Sequence, residues 1–435
     1  MSTKPSPVRA LTGGRGISQY SMTIALVVII LVFELWTGGV TLDPTNVINV
    51  VQQYSYILIL AVGMVMVIIN GHIDLSVGSV SAFVGIVVAQ SMSVWHLPAG
   101  LAMLLGLGIG ALVGAWQGFW VAYVRVPAFI VTLAGMLIFR GANQVVGNST
   151  ATTTPESFNW IGAGFLPDFG PDTGYNNPTL ILGAVVVAAI AWLEIRARRR
   201  RHKMGEVPRP RWVSVVKVLV LGGITVYATL LLGGGRIGTS LPVAGIISGV
   251  LVIVYSFVTS KTVFGRQIYA VGGNSQAAAL SGVDTRRVSF FVMMNMSVLA
   301  AVAGMVFVGN SNASGPSDGT NWELDAIAAV FVGGAAIFGG VGTVPASIVG
   351  AFVMAFLANG LSLKGIDQNI VSIIRGMVLL AAVAFDVYNK TQGKPSLTGL
   401  VLNGVRRKRA RAAPEVISGD LPSEAGDRRE KASLG

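Results

Sequence analysis

Long apolar runs alternate with short polar intervals along almost the whole chain. Runs of about 18 or more mainly apolar residues are the length that crosses a bilayer as a helix. They fall near residues 20–41, 54–70, 74–92, 98–123, 127–146, 179–193, 213–232, 242–259, 288–309, 324–341, 344–363 and 369–388. Two or three of these are short or broken by glycine, so the pattern predicts ten to twelve crossings. The fold class expected is all-α, a polytopic transmembrane helical bundle. Polar intervals divide the chain into a segment 1–20, a membrane domain 21–388 and a tail 389–435. Within the domain they mark an interval 147–178, a basic loop 194–217 and a loop 264–287. From Arg406 onward the tail mixes both charges with Pro and Gly, a composition that predicts disorder.

Basic residues orient the bundle. Segments 1–20, 194–217, 260–287 and 389–435 carry 3, 9, 4 and 10 Lys and Arg, or 26 of the chain's 31. The interval 147–178 has Glu156, Asp168 and Asp172 but no Lys or Arg. Positive loops stay inside, so both termini are expected in the cytoplasm of a bacterial cell, with the protein in its inner or plasma membrane. The formal charge of +12 is then a topology signal facing anionic lipid headgroups, not a sign of nucleic acid. The run RARRRRHK (196–203) reads the same way. Residues 21–41 lack a small-residue cleavage site after a short apolar core and are expected to remain as the first helix.

Composition narrows the chemistry. Hydrophobic residues make up 53% of the chain and charged ones 11%, against roughly 25% charged in soluble domains. Fifty-five glycines suit helices packed closely in a membrane. There is no cysteine and there are only three histidines, so neither disulfides nor a metal centre is expected. No GxxxxGK[ST] phosphate loop, HExxH motif or nucleophile elbow occurs. The chain reads as a conduit without catalysis or cofactor, its energy supplied from elsewhere.

A repeat is suggested. Residues 72–89 (HIDLSVGSVSAFVGIVVA) and 323–340 (ELDAIAAVFVGGAAIFGG) each place an acid after an aliphatic residue and before a small-residue helix, and a Gly-rich helix follows each. Asp74 would start inside and Asp325 outside, the parity of an inverted repeat. Polar residues in or beside the spans are the candidates for a path. Neutral amides offer donors and acceptors without charge, which draws attention to Gln52, Gln53, Asn70, Gln117, Asn143, Gln144, Asn295 and Asn359. Asp74 joins them as a path residue or, with Ser76, as a helix N-cap. Glu34 and Asp386 sit near span ends and are expected at headgroups; Arg140 and Arg375 are expected against helix C-termini or water.

The loop GRQIYAVGGNSQAAALSGVDTRRV (265–288) is compact and polar. Asn274 or Ser275 would cap a two-turn helix through Gln276, Ala277, Ala278, Ala279 and Leu280, with Ser281 and Gly282 ending it. It would either lie against headgroups or enter a cleft on a partner.

This loop resembles the ATPase-coupling loop of bacterial ABC permeases that import monosaccharides, the ribose and xylose permease family. Residues 70–86 (NGHIDLSVGSVSAFVGI), 126–141 (VPAFIVTLAGMLIFRG), 323–352 and 357–361 resemble that family in the same order. The layout, with its long basic inner loop, is most similar to the xylose-type branch. The resemblance implies a dimeric helical permease, two cytoplasmic ATPase subunits gripping residues 274–282, and an external sugar-binding protein delivering a monosaccharide, xylose first and ribose, galactose or another sugar next. In the usual coupling pattern a Glu precedes two alanines and a basic residue follows. Gln276 and Ala279 stand at those places here, which removes the Glu that would form a salt bridge with the ATPase. A secondary transporter or facilitator acting alone is the alternative of a different class.

Overall fold

Apolar runs become helices wherever a polar or proline start signal precedes them. The computed structural model describes residues 21–204, 211–236 and 238–391. The expectations for segment 1–20, for residues 205–210 of the basic loop and for the tail from 392 lie outside the described residues, as does the side chain of Asp386. The first half of the chain contains α1 (Ser21–Thr37), α2 (Pro44–Ile69), α3 (Val77–Ser93), α4 (Ala99–Phe119, continuing as a π-helical turn Trp120–Val124), α5 (Ala128–Val146), β1 (Thr152–Thr153), α6 (Glu156–Ala163), α7 (Asn177–Lys203) and α8 (Arg211–Gly233). Then come α9 (Val243–Lys261), α10 (Val263–Gly273), α11 (Ser275–Leu280), α12 (Thr285–Ser311), β2 (Ala313–Ser314), α13 (Trp322–Val332), α14 (Val344–Leu363) and α15 (Gln368–Thr391).

Several starts share one chemistry. The side chains of Asp43, Asn176 and Thr343 accept amide protons from Thr45, Thr179 and Ala346 at the starts of α2, α7 and α14. A proline within the first two positions follows each of these caps, where its missing N–H costs nothing. Asp284 caps α12 by accepting from the Arg287 amide at 3.1 Å.

Helices α2 and α12 form the centre. The second half of α2, from Ile57 to Ile69, is buried on nearly every side, and most of α12 packs against α2, α3 and α4. Backbones approach closely: a Cβ added at Gly110, Gly114 or Gly304 would run into the backbone of the neighbouring helix, the contact that small residues permit in membrane bundles. Helices α7 and α8 pack chiefly on each other and expose apolar side chains such as Leu219 and Val185. The basic run 196–203 is the last part of α7, where positive charge complements the helix C-terminus.

Among the described residues, eight helices are long and apolar enough to cross a membrane; α1, α3 and the first part of α15 are shorter apolar helices. The expected crossing at 324–341 is corrected. Only the 11 residues of α13 are helical, about 16 Å of rise against a hydrocarbon core of roughly 30 Å. Gly333 and Gly334 end it, Gly334 at φ +89°, and the chain turns through 333–343. The suggested repeat has a counterpart here. A long helix, a polar break, a shorter helix and two further helices occur as α2–α5 and again as α12–α15. The second break (312–321) reaches the helix start that follows the first break (70–76), where Gly319 meets Gly78 in the first turn of α3 backbone to backbone. One feature was not foreseen: β1 pairs antiparallel with β2, Thr152 opposite Ser314, pinning interval 147–155 to the second break.

Candidate functional site

Loop 262–287 begins with a helix that the sequence reading left out. Thr262 caps α10, its side chain accepting from the Gly265 amide at 3.1 Å, and Ile268 and Val271 bury its apolar face. The chain then turns at Asn274, whose Oδ1 accepts from the Ala277 amide at 2.9 Å and starts α11. Gly282 stands at φ +84° beyond its end, a conformation that favours glycine. Gln276, Ala277, Ala279 and Leu280 are exposed, Leu280 at 91%. Ala278 faces inward and is buried in the core, so the expectation that it meets a partner is corrected: helical periodicity turns it beneath Gln276 and Leu280.

The segment leading into α11 is clamped to the bundle. Gly272 lies so close to Ile69, the last residue of α2, that a Cβ would overlap the Ile69 carbonyl. That carbonyl accepts from the Gly340 amide at 2.8 Å. Gly339 and Gly340, at φ +81° and +73°, press on Gly71, Gly272 and Gly273. The Tyr269 hydroxyl donates to the Gly342 carbonyl at 2.6 Å, and burial pushes its phenol above the ordinary value. Three chain segments therefore meet backbone to backbone: the approach to α11, the first break and the turn after α13. Beside this junction a cavity of about 650 Å³ is lined by Asn70, His72, Arg125, Asn274 and Arg286 among others. Burial holds the His72 imidazole below its ordinary value.

Deeper in the bundle, ionisable groups cluster at the two breaks. Asp74 is fully buried; its Oδ1 accepts from the Ser76 amide at 2.8 Å and the Ser76 hydroxyl at 2.7 Å. Ser76 is itself the N-cap of α3, so Asp74 fixes the capping residue and does not cap a first-turn amide as expected. Gln117, also fully buried, donates to the Ser76 hydroxyl at 2.7 Å. Glu323 and Asp325 lie in the first turn of α13. Glu323 pairs with Arg140 at 3.7 Å, and Asp325 with Arg375 at 3.2 Å. The expectation that both arginines sit against helix C-termini or water is corrected for Arg375, which is largely buried on Asp325, while Arg140 stays 39% exposed beside Glu323. Two carboxylates on one short helix hold them, and the only hint in the sequence was the Glu-x-Asp spacing at residues 323–325. Glu34 lies near the end of α1, where its Oε2 accepts from the Leu42 amide at 2.8 Å and closes the turn that follows.

The other path candidates are scattered. Asn70 donates to the Ser289 hydroxyl at 2.9 Å and faces the cavity beside α11. Gln52 reaches the Gly162 carbonyl at 3.4 Å. Asn143 reaches the carbonyls of Gly315 and Pro316 at 3.4 and 3.3 Å. Asn295 accepts from the Tyr255 hydroxyl, and Asn359 exchanges two bonds of 3.0 Å with Asn46. Asp74 and Gln117 come together through Ser76; the remaining residues tie separate pairs of elements. Among the described residues, no group of three His, Asp or Glu is placed to hold a metal ion.

Many apolar helices, with a polar break packed on the helix start that follows another, describe a polytopic membrane protein. Comparison agrees: residues 46–383 match the family described as the branched-chain amino acid transport system permease component, and the chain belongs to that family. It is 39% identical to the xylose transport system permease protein XylH of Escherichia coli over 375 residues, 86% of this chain and 92% of that protein. It is 38% identical to the XylH protein of Haemophilus influenzae, covering 85% of this chain and 96% of that one. The ribose import permease protein RbsC of Escherichia coli is 32% identical over 379 residues, 86% of this chain and 94% of that protein. These relatives are transport permeases, not enzymes. No solved structure matches the chain.

Proposed function

We propose that this protein is the membrane subunit of an ATP-binding-cassette importer for a monosaccharide, with a pentose of the xylose type as its substrate. The identity to xylose permeases, 39% against 32% for a ribose permease, supports that order of preference. In this reading the face bearing α11 is cytoplasmic, along with both termini. Two ATPase subunits bind the α11 faces of two permease copies, and an external binding protein presents the sugar at the loop 312–321 face. The 27 residues of α12 separate these faces by about 40 Å.

The observation that carries the reading is the glycine junction beneath α11. A force on the exposed side of α11 passes through Gly272 to the end of α2 and, through Gly340, to the turn following α13. Backbone contacts have little compliance, so a displacement is transmitted as rigid-body movement of packed helices. ATP binding and hydrolysis in the partner would bias which arrangement of the breaks is populated.

The test is reconstitution with an ABC ATPase and a sugar-binding protein of the xylose type. Pentose uptake that requires ATP and all three components is the expected result. Net flux by the permease alone would make it a facilitator or ion-coupled transporter and would overturn the assignment.

A further inference from the structure

We propose that a cavity between α2, α12, α13 and α15 is a monosaccharide-binding site on the translocation path. This rests on the permease reading and adds the place where the sugar is held. The cavity measures about 580 Å³, within the usual range for small-molecule sites. Part of its lining is aromatic. The rings of Tyr56 and Trp322 have centroids 4.3 Å apart, those of Phe307 and Trp322 4.5 Å, and those of Tyr56 and Phe307 5.3 Å. The rest mixes apolar side chains such as Met354 and Leu379 with polar groups of no net charge, the amides Gln53, Asn310, Asn321 and Gln368 and the Asp325–Arg375 pair. The buried Nε of Arg375 has no hydrogen-bond partner among the described residues.

This combination selects a ligand class. Asp325 opposes an anion and Arg375 opposes a cation, while a purely apolar ligand would leave the Arg375 Nε and the four amides without partners. A neutral polyol meets both kinds of surface. Its C–H face covers aromatic rings, and its vicinal hydroxyls bond in pairs to planar amide, carboxylate and guanidinium groups. Of the nine path candidates expected from the sequence, Gln53 alone lines the cavity.

The site also shares an element with the coupling junction. Trp322 and Asp325 lie in the first turn of α13, and the turn beyond its other end reaches Gly272 and Ile69 through Gly339 and Gly340. Movement of that short helix would change the sugar's surroundings directly. The cavity is therefore where an ATP-driven shift alters affinity.

The test uses the whole transporter in proteoliposomes, with ATPase and binding protein present in every sample. Because the chain has no cysteine, Gln53→Cys and Ser372→Cys each introduce one reporter at the cavity, and Ala151→Cys gives an exposed control on the same face. ATP-dependent uptake of xylose by the unaltered transporter is measured first. At a xylose concentration about ten times the half-saturating one, a small thiol reagent should modify both cavity cysteines about tenfold more slowly, with the control unaffected. Asn310→Ala should raise the half-saturating xylose concentration by roughly tenfold while binding-protein-stimulated ATP hydrolysis persists. Equal modification rates with and without xylose, alongside intact uptake, overturn the cavity site alone. Slowing by added phospholipid but not by xylose makes it a lipid crevice and overturns it too. Absence of ATP-dependent uptake of xylose and ribose in the unaltered transporter overturns the permease reading, and the site with it.

Discussion

The backbone of Gly272 rests against the carbonyl of Ile69, leaving no space for a side chain, while its neighbour Gly273 has open space around the same position. Two adjacent glycines therefore have different reasons to be glycine. Gly272→Ala must push the approach to α11 away from the end of α2 and is expected to cost about 1–3 kcal/mol, as overpacking does. It should also reduce pentose uptake relative to ATP hydrolysis in the assembled transporter. Gly273→Ala should change neither the melting temperature nor the uptake-to-hydrolysis ratio. Equivalent behaviour of the two variants would remove the junction from the coupling route.

The exposed side of α11 provides a second test. Leu280 is 91% exposed and Ala278 is buried, so their substitutions should separate docking from folding. Leu280→Asp is expected to weaken ATPase association at least tenfold, the loss of about 1.4 kcal/mol of apolar contact, without lowering thermal stability. Ala278→Leu should instead lower stability, by about 1–3 kcal/mol. Gly282→Pro, incompatible with a φ of +84°, should uncouple hydrolysis from uptake while the protein still inserts. Titration of ATPase onto detergent-solubilised permease, beside thermal unfolding, distinguishes these outcomes.

Much of this arrangement was legible in the sequence, for reasons that differ by element. Apolar run length located most helices because lipid demands it. Asn274 and Gly282 marked the ends of α11 because capping and positive φ have narrow residue preferences. Helix α10 was missed because its Gly-rich end and half-polar face look like loop until Ile268 and Val271 find the core. The run at 324–341 misled because apolar content does not reveal where a helix stops, and Gly333 and Gly334 stop it after Val332. The pairing of Arg140 and Arg375 with α13 lies beyond periodicity altogether, since it joins residues 183 and 50 positions apart. Side chains such as Asn359 and Asn295 have path-like chemistry, but which neighbour satisfies them is decided only by packing.

The Asp325–Arg375 pair predicts an asymmetric mutational response. Both side chains are largely buried, at 14% and 17% exposure. Removing one partner leaves an uncompensated charge, a loss of about 3–5 kcal/mol in comparable buried pairs. Arg375→Met should therefore destabilise more than the double change Arg375→Met with Asp325→Leu, which removes both charges. Thermal unfolding of the four forms gives the coupling. A double variant less stable than either single one would mean that the pair contributes more than mutual neutralisation.

His72 gives the bundle a predictable response to acid. It lies in the first break, on the cavity shared with Arg125 and Arg286, and burial depresses its imidazole. The unfolded chain's imidazole titrates near 6.5, so above about pH 7.5 both states hold it neutral and it contributes no pH dependence. As pH falls below that value, the unfolded chain takes up a proton that the folded protein resists, and stability declines. Between pH 7.5 and 5.5 the melting temperature should fall, and His72→Gln should flatten that fall. Glutamine retains a polar group that can approach Ser289, which lies 3.4 Å from the imidazole Nε2, yet it cannot titrate. Equal pH slopes for the two proteins would place the acid sensitivity elsewhere, and a steeper slope in the variant would show that His72 gains a proton on folding.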